Sequence, residues 1–278
     1  MPSLELHRVT DIPGLTYNAI GHGDDSLVAV NALGQGITLW LPLMERLSRK
    51  LRVVIWEMRS TMPDGRPATF AEHCQDLHAI VQQEASPRTH LAGWCTGAKL
   101  AARYCRRHSG IESMVFLSGS FKHTNRAPEF DTTYERNLQA ILEAVDCQPS
   151  LAERLRIALA PANNNGDSEL EHEARRPFRD AQTFVIYARQ HLEFWSHETT
   201  TGSEVRVPIL GIAGEHDEIT SPSSFRSALS KFPLARYVEI PGAAHHVFYE
   251  LPDMVADLIE DFLAAQKCAA TDYPDVIK

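Results

Sequence analysis

The stretch Leu91-Ala92-Gly93-Trp94-Cys95-Thr96-Gly97-Ala98-Lys99-Leu100 decides how this chain is read. An apolar run, Thr89–Ala92, stops at Gly93, and helically spaced small and apolar positions start at Gly97 and continue through Leu100, Ala101, Tyr104 and Cys105. Cys95 therefore sits at the apex of a strand-to-helix turn, in the pattern G-x-C-x-G. Such a turn brings strand and helix so close that glycine is needed two residues either side of the apex. The apex side chain is lifted out over the sheet. The next amide, that of Thr96, lies at the positive end of a helix, where it can receive an oxyanion and favour a thiolate. Taken alone, the pentapeptide is also compatible with an ordinary glycine turn around a buried core thiol.

Short β-branched or apolar runs recur on both sides of this turn, at Leu27–Val30, Arg52–Trp56, Ser113–Leu117, Val207–Ala213 and Tyr237–Ile240. They read as buried strands. Helical spacing separates them, as in Phe70, Cys74, Leu77 and Val81, and strand alternating with helix predicts a mostly parallel sheet covered on both faces, an α/β fold. The stripe Leu251, Met254, Val255, Leu258, Ile259, Phe262 and Leu263 predicts a closing amphipathic helix, with a frayed tail after Cys268.

The alternation lapses over residues 121–204. Helical patterns there, including Tyr134, Leu138, Ile141 and Leu142 and the run from Ala181 to Trp195, flank a polar break at Asn163–Ser168. A helical insert between two strands is expected to be a lid within one domain spanning residues 1–278.

Composition sets limits on function. The chain has 278 residues, 44% hydrophobic and 23% charged, with a formal charge of −9, so it can bury a core and lacks the basic footprint of a general nucleic-acid or anionic-membrane binder. The N-terminus shows no signal-peptide pattern and no run is long enough to span a membrane, so a cytoplasmic location is expected. Five cysteines, with no C-x-x-C pair and no histidine at zinc-ligand spacing, are expected to be free thiols, and no metal is called for.

Two further segments bear on Cys95. The strand from Val207 ends in Gly214-Glu215-His216-Asp217, with an acid at its tip, and Ile240-Pro241-Gly242-Ala243-Ala244-His245 is a strand running into a histidine-bearing loop. Asp217 is the candidate acid, with Glu215 and Glu218 as rivals; His245 is the candidate base, with His246 as rival. Nucleophile, acid and histidine in that chain order resemble the α/β-hydrolase superfamily from about Leu15 to Leu263. In that superfamily the histidine precedes a glutamate by five residues, a spacing that His245 and Glu250 satisfy. The front of the chain departs from the usual pattern. Asn31-Ala32-Leu33-Gly34 stands where His-Gly is common, and Trp56-Glu57-Met58-Arg59-Ser60 replaces a glycine-rich loop.

The resemblance implies a Cys95–His245–Asp217 triad, with an oxyanion hole from the backbone amides of Leu33 and Thr96 and with Trp94 beside the substrate. Cysteine makes the acyl-enzyme a thioester, close in free energy to an acyl group on a phosphopantetheine thiol. Gly-Trp-Cys-Thr-Gly-Ala-Lys-Leu is similar to the small aminoacyl-shuttling enzymes of nonribosomal peptide pathways. That similarity implies acyl or aminoacyl transfer between the phosphopantetheine arms of acyl or peptidyl carrier proteins, with no bound cofactor. The alternative is hydrolysis of a thioester, ester or lactone by the same triad. Carrier docking would call on basic residues such as Lys99, Arg103 and Arg106 behind the turn, or Arg175 and Arg176 in the insert, though such stripes are commonly solvated helix faces. Glu57, Glu193 or Glu215 could balance an amino group, and Phe121, Tyr134, Phe194 and Trp195 are candidate substrate contacts.

Overall fold

A computed structural model describes residues 3–124, 127–159, 168–198 and 202–271. Eight strands form one sheet: β1 (Glu5–Arg8), β2 (Thr16–Ile20), β3 (Asp25–Val30), β4 (Arg52–Ile55), β5 (Arg88–Trp94), β6 (Ile111–Leu117), β7 (Ile209–Gly214) and β8 (Ala235–Ile240). Their order across the sheet is β1-β2-β4-β3-β5-β6-β7-β8; β2 runs antiparallel to both its neighbours, β1 and β4, and all other neighbours pair in parallel. The expected strands are all present within a few residues of their sequence positions. The edge strand β1 and its neighbour β2 have no counterpart among the runs read as strands from the sequence.

The helices are α1 (Leu41–Leu47), α2 (Phe70–Glu84), α3 (Thr96–Arg107), α4 (Thr133–Cys147), α5 (Ala152–Leu159), α6 (Glu169–Arg175), α7 (Ala181–Ser196), α8 (Pro222–Leu229), α9 (Val247–Glu250) and α10 (Pro252–Thr271). Thr69 and Glu72 close a capping box at the start of α2, and Thr132 and Glu135 do the same for α4. In each, a hydroxyl and a carboxylate satisfy amides that the first helical turn leaves unpaired. The closing helix continues past Cys268 to Thr271, so the chain is helical where the sequence suggested fraying; residues 272–278 lie outside the described residues.

Successive residues of the central strands feed opposite faces of the sheet, as the two-residue period requires. Val28 and Leu91 pack with α2, α3 and the insert residues Phe184 and Phe194. Leu27, Ile55 and Ile212 pack with α1 and α10. Both faces are apolar and covered, which is why these strands read as unbroken hydrophobic runs.

Helices α4 to α7 occupy the chain between β6 and β7, and no strand occurs there among the described residues. Asn163–Asp167, most of the polar break, lie outside the described residues. Lys99 joins the insert to α3: its ammonium is buried and donates to the carbonyls of Lys122 (2.9 Å) and Phe194 (2.8 Å). It is therefore not part of a basic surface stripe. Of its expected neighbours, Arg106 pairs with Glu204 at 3.2 Å.

Candidate active site

The turn around Cys95 is strained, and its neighbours hold it. Cys95 has φ +50°, a region L-residues seldom enter. Its amide donates to the Leu117 carbonyl (3.0 Å), while its own carbonyl accepts from the amides of Ser120 (2.9 Å) and Ala98 (3.2 Å). Backbone strain of this kind persists only where surrounding bonds over-determine it, and it concentrates at functional positions. Both glycines are sterically required. A Cβ on Gly93 would stand 2.5 Å from the Ala98 Cα, and one on Gly97 would stand 2.1 Å from the Val30 carbonyl oxygen.

β7 and β8 deliver the acid and the histidine to the same end of the sheet. Nδ1 of His245 lies 2.8 and 3.0 Å from the two carboxylate oxygens of Asp217, both residues being buried. Oδ1 of Asp217 also accepts from the amides of Ile219 (3.0 Å) and Thr220 (2.8 Å), which fixes the carboxylate's orientation. Burial opposes a charge on His245. The charge and hydrogen bond of Asp217, together with the sulfur of Cys95, outweigh that penalty and raise the ring's pKa to about 10. With Nδ1 engaged by Asp217, Nε2 is the ring nitrogen left for proton exchange with Cys95.

The rivals stand elsewhere. Glu215 is exposed and accepts from the Gly242 amide (3.0 Å), and Glu218 is exposed. His246 lines the cavity, but its pKa is lowered to about 4, first by burial and then by the neighbouring His245.

Around Cys95 lies a cavity of about 110 Å³, whose lining includes Leu33, Trp94, Thr96, Tyr134, Trp195 and His245. Trp94 packs its ring 5.7 Å from that of His245 and 5.1 Å from that of Phe248. Phe121 and Phe194 are absent from the lining and belong to the core. None of the acids suggested for an amino group lines the cavity either. Glu57 pairs with Arg176, and Glu193 accepts from the Phe70 amide and approaches His197. The carboxylate on the lining is that of Glu135, whose place there depends on the fold of the insert and has no local sequence signal.

The loop after β3 is built without the usual histidine. Asn31, fully buried, donates through Nδ2 to the carbonyls of Gln35 (3.0 Å) and Gly36 (2.8 Å), and its Oδ1 accepts from the Ala32 amide (2.9 Å) and from Nε1 of Trp40 (3.1 Å). Asn31 thus uses both amide protons and two acceptor positions to fold the loop that carries Leu33. The Leu33 amide donates to the Thr96 hydroxyl at 3.0 Å. The remodelled loop Trp56–Ser60 is also anchored: Arg59 pairs with the buried Asp76, and Gln190 of α7 donates to the carbonyls of Arg59 (2.9 Å) and Ala68 (3.1 Å). Among the described residues, no cluster of three potential ligands could hold a metal, and no helix is long and apolar enough to cross a membrane.

Comparison with known proteins agrees with this architecture. A putative carbamate hydrolase, RutD, of Caulobacter sp. (strain K31) is 26% identical, the match covering 92% of this chain and 97% of the relative. A pimeloyl-[acyl-carrier protein] methyl ester esterase of Yersinia enterocolitica is 21% identical over 89% of this chain and 96% of its own. Among solved structures, the enol-lactonase from Burkholderia xenovorans LB400 superposes with a TM-score of 0.69 at 21% identity, covering 94% of this chain and 97% of that one. The family model for the alpha/beta hydrolase fold matches residues 25–252, and with the sheet order, the strained turn and the chain order of Cys95, Asp217 and His245 it makes this chain a member of the α/β-hydrolase family.

Proposed function

We propose that this protein is a hydrolase that opens an ester or thioester of a short acyl group through a covalent Cys95 thioester. The observation that carries this reading is the contact series Asp217, His245, Cys95 at the edge of a cavity large enough for a few carbon atoms. In acylation the Cys95 sulfur attacks the carbonyl carbon while its proton rests on Nε2 of His245, the protonated ring that Asp217 sustains. The Thr96 amide holds the oxyanion, joined by the Leu33 amide when it exchanges the Thr96 hydroxyl for that acceptor, and collapse expels the alcohol or thiol, protonated by His245. Water, deprotonated by the same ring, then releases the acid and restores the thiol. Asp217 holds the tautomer and stabilises the imidazolium. The named activities of the relatives, hydrolysis of a carbamate and of a methyl ester, favour this route.

A second reading is acyl or aminoacyl transfer between phosphopantetheine thiols of carrier proteins. The nucleophile itself favours it: thioester exchange with a carrier thiol is nearly isoergic, whereas serine would lose that balance. Intact-protein mass spectrometry after incubation with an acyl-loaded carrier separates the two. Hydrolysis predicts free acid with an adduct on Cys95 that decays in buffer. Transfer predicts a persistent adduct that moves only when a second carrier thiol is supplied. Full activity in a Cys95→Ala variant would sink both.

A further inference from the structure

Two residues of α7 that line the cavity each carry a buried polar atom that the protein leaves unpaired. His191 and Trp195 line the cavity and are 7% and 3% exposed, yet His191 Nδ1 and Trp195 Nε1 have no hydrogen-bond partner. The two rings meet edge to face at 4.6 Å, one helical turn apart. Buried polar atoms are nearly always partnered, and an unpaired one costs about 1–3 kcal/mol. A pair of them on neighbouring residues of the cavity lining is accounted for if the rings turn toward a bound group that supplies the missing partner.

The chemistry of the wall narrows that group. An indole N–H can only donate. The ammonium of Lys122 stands 5.0 Å from the centre of the Trp195 ring and draws electron density toward the ring face, strengthening the N–H as a donor. His191 is held neutral by its burial and by Lys99 and Lys122, with its pKa lowered to about 3. Lys122 pairs with Asp131, and the cavity lining itself carries the Glu135 carboxylate. An anionic ligand therefore gains no net cation, and Glu135 already accepts from the Thr132 amide at 3.0 Å.

We propose that His191 and Trp195 form a specificity subsite for a neutral oxygen acceptor, a hydroxyl or carbonyl, on the short acyl chain carried by Cys95. The subsite rests on the reading of Cys95 as the acyl acceptor. The test uses N-acetylcysteamine thioesters of matched shape: β-hydroxybutyryl, its apolar isostere isovaleryl, β-aminobutyryl and malonyl. With the unmodified protein, kcat/KM is expected to favour β-hydroxybutyryl over isovaleryl by about tenfold or more, the discrimination expected of a site built to pair a substrate hydroxyl. In Trp195→Phe and His191→Phe that ratio should fall toward one. A wild-type preference for isovaleryl, malonyl or β-aminobutyryl would overturn the proposal, the last by making Glu135 the reader of a cation. A ratio unchanged in both variants, even with lower rates, would leave them a packing role only and would overturn it as well. Failure of every thioester to acylate Cys95, seen as neither release of N-acetylcysteamine nor a mass shift, would instead remove the Cys95 reading and this subsite with it.

Discussion

The Leu33 backbone amide donates to the Thr96 side-chain hydroxyl across 3.0 Å, linking the loop after β3 to the first residue of α3. Both residues line the cavity, so the two backbone donors expected to hold the oxyanion are coupled through one hydroxyl. That hydroxyl accepts from Leu33 and keeps its own proton to direct at a substrate oxygen.

Thr96→Val keeps the side chain's shape and removes this bond. It should leave the buried Leu33 amide unpaired, destabilise the fold by about 1–3 kcal/mol, and slow acylation of Cys95 by at least roughly tenfold. Thr96→Ser should restore both. Single-turnover acylation and urea denaturation read the two effects separately, and faster acylation in Thr96→Val would show that the hydroxyl only obstructs the donors.

Cys95→Ala and Cys95→Ser separate the thiol's chemistry from the turn that carries it. Either residue meets the same penalty at φ +50°, so thermal midpoints should stay near that of the parent. Activity should not: loss of a nucleophile of this type costs on the order of 10⁴-fold or more, and serine should recover only a small part of it. A serine variant as active as the parent would show that the thiol has no particular role.

The pH dependence of stability should report the His245–Asp217 pair. The folded pKa of His245, raised to about 10, lies above the ordinary histidine value of 6.5. Its contribution is therefore complete below about pH 6.5, shrinks as pH rises, and is gone above about pH 10. Asp217→Asn keeps an acceptor for the Ile219 and Thr220 amides but removes the charge that sustains the imidazolium. The stability gap between parent and variant should be widest near pH 6 and narrow toward pH 10 in thermal melts. A gap independent of pH would contradict the pairing.

Much of this was legible in the sequence because the signals were steric and periodic. Gly93 and Gly97 announce the turn because no Cβ fits at either position, and the buried strands announce themselves because both sheet faces are apolar. The triad candidates were legible from chain order, which places Asp217 and His245 just beyond the ends of adjacent strands. What escaped detection depended on distant partners. β1 and β2 are short, and β1 is mostly exposed, so their period is weak. Lys99 looks like a surface lysine until the carbonyls of Lys122 and Phe194, both far along the chain, enclose it. His191 and Trp195 show ordinary helical spacing, and only the folded insert brings them to the cavity. The pattern Thr-x-x-Glu at Thr69 and Thr132 is a local helix-start signal, and it marks the first turns of α2 and α4.

Gly97→Ala tests the steric reading of the turn directly. The added methyl would press on the backbone carbonyls of Val30 and Asn31, neither of which can swing aside as a side-chain tip could. Most of the variant should be insoluble or melt far below the parent, whereas Gly110→Ala, at a position with open space but a φ of +91°, should cost only about 1–2 kcal/mol of backbone strain. Comparable behaviour of the two variants would mean that the close approach of α3 to β3 is not a constraint.

The insert also holds the loop that carries Leu33. Glu173 of α6 is buried, accepts from the Gly36 amide at 2.6 Å and lies 3.5 Å from Arg176, which also pairs with Glu57 at 2.8 Å. A Cβ on Gly36 would fall on the Arg176 guanidinium, which would have to swing aside to admit it. The insert therefore grips the loop through a backbone amide, and the position of the Leu33 amide depends on a residue remote in sequence. Glu173→Ala removes the acceptor and leaves Arg176 with Glu57 alone; Glu173→Gln keeps an acceptor for Gly36 but not the charge. Hydrogen exchange at residues 32–36 and 169–178 should quicken strongly in the alanine variant and modestly in the glutamine variant, with acylation slowed in the same order. If exchange at residues 32–36 is unchanged in Glu173→Ala, the Asn31 hydrogen bonds alone hold the loop, and the insert covers the site without shaping it.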